Sequence, residues 1–152
     1  MPRPLPALAL AAALALPSLA QAETDNPNIA ARQAMMTLMA YNLGVVGGMA
    51  QARMPYDAAA ASAAANSLRH LSLIDHGRMW PAGTDNAAAA DTRALPAIWA
   101  DMAGFEARFV ALQSATEAMA GAAGTDLATL QAAMGALGGA CGGCHQNFRQ
   151  PE

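Results

Sequence analysis

From residue 27 to residue 149 apolar side chains recur at steps of three and four, and nowhere does the chain show the every-other-residue alternation of a half-buried strand. That pattern predicts an all-α fold. A first helix is expected over 27–53, where Asn26 stands before Pro27 and Ile29, Met36, Met39, Leu43 and Val46 form the inward stripe. A second, over 57–76, has Asp57 as its cap, an alanine run broken only by Ser62, and Leu68, Leu71 and Ile74 facing inward. Alanine is the strongest helix former, and a face of small residues lets a neighbouring helix approach closely. A third helix is expected over 96–120, with Ile98, Met102, Phe105, Phe109, Leu112 and Met119 on one stripe. The fourth, over 126–149, places Leu130, Leu137, Cys141, Cys144 and Phe148 on a regular three-four pattern.

Residues 77–95, punctuated by Gly, Pro, Asp and Asn, form a long connection of the kind that usually carries function in a small domain. One long and two short connections predict an antiparallel up-down-up-down four-helix bundle. The start of the first helix, the end of the second, the long connection, the start of the third and the end of the fourth then share one pole, and a site is expected there.

Residues 1–22 have the layout of a cleaved signal peptide: Arg3, an apolar run from Leu5 to Leu16, and Ala20-Gln21-Ala22 before Glu23. The apolar run is too short for a permanent membrane span, so no stable membrane insertion is expected after cleavage, and residues 23–152 form the bundle. The chain has a net charge of −3 and contains no lysine. Without basic clusters it lacks the phosphate-neutralising surface that nucleic-acid binding requires.

Cys141-Gly142-Gly143-Cys144-His145 has the C-x-x-C-H spacing of c-type haem attachment. On a helix, residues three and four apart share a face, so both thiols can bond the porphyrin while His145 reaches its iron as axial ligand. Two alternatives are a non-haem thiol redox pair and a metal-binding bundle using His70 or His76. The first prefers a helix N-terminus, where the dipole lowers a thiol pKa, and the second usually shows paired ligand motifs. Arg149 follows His145 by four residues, and Arg32 and Met36 repeat that spacing in the first helix. Arg32 and Arg149 are candidates for haem carboxylates, and Met36 is a candidate second axial ligand ahead of its neighbour Met35. His76 reads as a surface histidine and Trp80 as an aromatic that anchors the loop. No acid–base pair, nucleophile triad or phosphate loop marks the chain as an enzyme.

The closing run Gly138 to Arg149, the segment Arg32-Gln33-Ala34-Met35-Met36, the loop Trp80-Pro81-Ala82-Gly83-Thr84-Asp85 and Pro96-Ala97-Ile98-Trp99 together resemble the cytochrome c′ family, over essentially all of the chain beyond the leader. The resemblance implies a periplasmic bacterial cytochrome with one covalent haem c, commonly a homodimer through its first two helices. It also implies that the Met36 position lies over the distal haem face and that Arg32 and Arg149 lie near the haem. Five-coordinate members bind nitric oxide or carbon monoxide at a crowded apolar face; six-coordinate relatives place a Met on the iron and pass electrons to a redox partner protein. Met36 is compatible with both.

Overall fold

The computed structural model describes residues 24–151, so the leader lies outside the described residues. Its helices are α1 (Pro27–Ala50), α2 (Ala58–Ser72), the single turn α3 (Ala97–Ala100), α4 (Met102–Ala122) and α5 (Leu127–Phe148). One 3-10 turn, Gly77–Met79, interrupts the long connection. The four long helices make the expected bundle: α2 packs against α1 and α4, and α5 closes it against α4 and α1.

Each long helix starts on a side-chain cap. Asn26, Asp57, Asp101 and Asp126 accept from backbone N–H groups of the first turns of α1, α2, α4 and α5. Asp101 also accounts for a departure from the sequence reading, because the helix expected over 96–120 is broken there. Its backbone leaves the helical region (φ −137°, ψ 65°) while its carboxylate accepts from Gly104 N at 2.9 Å. A Cβ at residue 104 would overlap that carboxylate, so the glycine makes room for the cap.

Two other ends fall earlier than the periodicity predicts. α1 stops at Ala50 because Ala52 N and Arg53 N turn back onto Met49 O and Gly48 O, with Ala52 in the left-handed region at φ 55°. α2 stops at Ser72, whose hydroxyl pairs with Thr116 Oγ1 and whose carbonyl accepts from Gln113 Nε2. Ile74, expected inside, is therefore 41% exposed. The inward stripe of α1 is also rotated: Arg32 and Met35 are buried, whereas Met36, Met39 and Leu43 are half-buried.

The core has two parts. At one end Ala61, Ala64, Ala65 and Leu68 of α2 meet Val46 and Met49 of α1, Ala115 and Met119 of α4, and Leu130 and Leu137 of α5. At the other, Met35, Ala94, Ile98, Phe105, Phe109 and Phe148 form an aromatic cluster beside the long connection.

Candidate functional site

The apolar stripe of α5 runs from Leu130 and Leu137 into Cys141 and Cys144 and ends on buried Phe148. Both thiols are free and half-buried, as is His145. Burial raises both thiol pKa values; around Cys144, Arg108 and Arg149 pull the other way. Burial also lowers the pKa of His145, with Arg149 and Arg93 adding to the effect. Neutral thiols are the opposite of what a redox dithiol needs, and a neutral imidazole is the ligating form. Among the described residues no group of three or more His, Cys, Asp or Glu gathers to hold a metal ion, so His70 and His76 do not complete a site with the cysteines.

Cys144 and Met36 pack against the same aromatic cluster, so the structure brings these two predicted residues to one place. Met35 is the more deeply buried of the adjacent pair, at 4% exposure. Around the motif, an added Cβ on Gly138, Gly139 or Gly142 would meet nothing, while one on Gly143 would touch the Arg108 guanidinium. Shallow cavities of about 450 and 410 Å³ lie along α4 and α5 and meet at Arg108. Nothing in the motif itself signals Arg108, which reaches Gly143 only through the register of α4 on α5.

The long connection is tied to both ends of this pole. Arg32 donates from its guanidinium to Met79 O, Thr84 Oγ1, Thr84 O and Thr92 Oγ1, and lies over the Trp80 ring at 4.8 Å. Burial lowers its pKa, opposed by Asp91 and Asp85. Arg149 has left the helix: its extended backbone pairs with Ala94, and Leu95 N donates to Phe148 O. It is exposed and acts on His145 and Cys144 through its charge. Trp80 anchors the loop, packing edge-on against Phe105 at 4.7 Å. His76 is not on the surface; it is 8% exposed and stacks on Phe109 with ring centroids 3.5 Å apart.

Two free thiols and an imidazole on one helical face, beside two buried nitrogens, His76 Nδ1 and Trp80 Nε1, that lack hydrogen-bond partners among the described residues, fit a large flat group bearing polar substituents. Fold and site together define a bundle-type c haem protein. The family model described as cytochrome c′ matches residues 27–149, and the chain belongs to that family. It is 45% identical over 152 residues to cytochrome c-554 of Cereibacter sphaeroides, covering 99% of each chain. Cytochrome c′ from Rhodobacter sphaeroides superposes with a TM-score of 0.80 at 38% identity, over 82% of this chain and 96% of that one. A nitric oxide complex of a cytochrome c prime mutant from Alcaligenes xylosoxidans superposes at 0.71 with 32% identity, over 82% and 94%. Membership implies covalently bound haem c.

Proposed function

We propose that this chain is an exported, periplasmic carrier of a single haem c that passes electrons to a redox partner protein and turns over no organic substrate. His145 would hold the iron through its imidazole, and Met36 would offer a thioether as the second ligand. The observation that carries this reading is the meeting of Met36 and Cys144 on one aromatic cluster. When bound, the haem supplies a one-electron iron couple, and thioether ligation raises its potential. The apolar wall of Met35, Phe105, Phe109 and Phe148 keeps water from the group. The leader-like residues 1–22 support export.

A second reading, binding of nitric oxide or carbon monoxide, is favoured by one detail: Met36 is only half-buried and adjoins the more buried Met35. In that case the methionines cover an open iron position rather than ligate it. The relative caught with nitric oxide supports this arm. Absorption spectra of the oxidised and reduced holoprotein separate the two. Electron transfer predicts a low-spin spectrum that Met36→Leu converts to high spin and Met35→Leu leaves alone. A high-spin wild type that takes up nitric oxide replaces the first reading with the second, and a natural product with the bare polypeptide mass overturns both.

A further inference from the structure

His76 Nδ1 and Trp80 Nε1 are buried without a hydrogen-bond partner among the described residues, and both flank one ring. Trp80 meets Phe105 at 4.7 Å and His76 meets it edge-on at 6.4 Å, within the cluster against which Cys144 packs. An indole N–H is donor-only, so burial leaves it in need of an acceptor. Nearby acceptors are engaged elsewhere. Trp80 O accepts from Trp99 Nε1 at 3.1 Å, and Met79 O, Thr84 O and the Thr84 and Thr92 hydroxyls accept from Arg32. Those four bonds leave the Arg32 fork only its Nε–H.

Haem carries two carboxylates, which accept hydrogen bonds when ionised and need donors when buried. Resting on the haem reading above, we infer that Trp80 Nε1–H and His76 Nδ1–H donate to a haem propionate, while Arg32 acts as a positioning residue that holds the Trp80 loop in place. This donation needs the His76 proton on Nδ1; Nε2 lies 3.7 Å from Glu106 Oε2, too far for a hydrogen bond that would hold the proton there instead.

The test uses haem-loaded full-length protein. Trp80→Phe and His76→Phe each keep a ring against the cluster and remove the nitrogens. The expected result is a shift of the propionate bending bands in the resonance Raman spectrum of each variant. The chain holds two tryptophans, so the unaltered protein also reports through two indole N–H signals, with Trp99 as the bonded reference. The Trp80 indole is expected to exchange with solvent within about tenfold of the Trp99 rate. Bands unmoved in both variants, or a Trp80 indole exchanging about a hundredfold faster than Trp99, overturn the inference. Where a variant fails to load haem, the exchange measurement on the unaltered protein decides. Covalent haem mass separates the two failures: with haem present only this inference falls, and without it the haem reading falls as well.

Discussion

Arg32 carries a permanent charge into a place where only 3% of its surface meets solvent. The burial is tolerated because the planar fork meets four oxygens at once and the guanidinium face rests on Trp80. A substitution that shortens the side chain and loses the fork leaves those loop oxygens without their donors. Arg32→Gln is therefore expected to destabilise the protein by about 2–4 kcal/mol, since each charge-assisted bond contributes more than a neutral one. Chemical denaturation reads the loss, and limited proteolysis reads its location, with new cleavage falling between residues 77 and 95. An unchanged midpoint and cleavage pattern would remove the clamp. The spacing of Cys141, Cys144 and His145 is legible in the sequence because the three are local to one helix face. The partners of Arg32 are not, because Thr84 and Thr92 lie 52 and 60 residues away and only the fold brings them back. His76 misleads for the same reason: its burial comes from Phe109 on another helix.

Helices here are placed by periodicity and ended by local backbone chemistry. The four long segments were legible because their three-four apolar pattern and their caps agree, whereas the Asp101 break and the early end of α1 turn on two or three residues whose competing hydrogen bonds outweigh that pattern. The end of α1 is a Schellman closure, with Arg53 N on Gly48 O at 2.9 Å and Ala52 N on Met49 O at 3.0 Å. Alanine occupies the left-handed position that glycine usually fills, at φ 55°. Left-handed backbone costs an alanine about 1–2 kcal/mol. Ala52→Gly removes that strain and gives back roughly 0.4–1 kcal/mol through the looser unfolded chain. The net expectation is a small gain in stability and a melting temperature higher by a few degrees, checked by thermal unfolding of the holoprotein. A lower melting temperature would mean that the closure carries no strain to relieve.

At the scale of the molecule the two ends of the bundle do different work. The alanine-rich end brings α1, α2 and α4 close together, and the aromatic end, bordered by the long connection, holds the site. What the bundle leaves outside is a run of apolar side chains on α1, where Leu38 is 51% and Tyr41 72% exposed. They sit three residues apart and so share one face of the helix. With the family resemblance implying a homodimer through the first two helices, a second copy of this chain is the proposed occupant of that face. Tyrosine at the centre of an interface is a common hot spot, contributing about 2 kcal/mol or more when truncated, which is roughly a thirtyfold change in dissociation constant. Tyr41→Glu adds an unpaired charge to that loss and is expected to shift sedimentation velocity from dimer to monomer at micromolar concentration. Val110→Glu serves as the control. Val110 is 61% exposed and belongs to α4 rather than to α1 or α2, and its charge should leave the dimer intact. A wild type that sediments as a monomer throughout, or a dimer indifferent to Tyr41→Glu, would take this face out of the assembly.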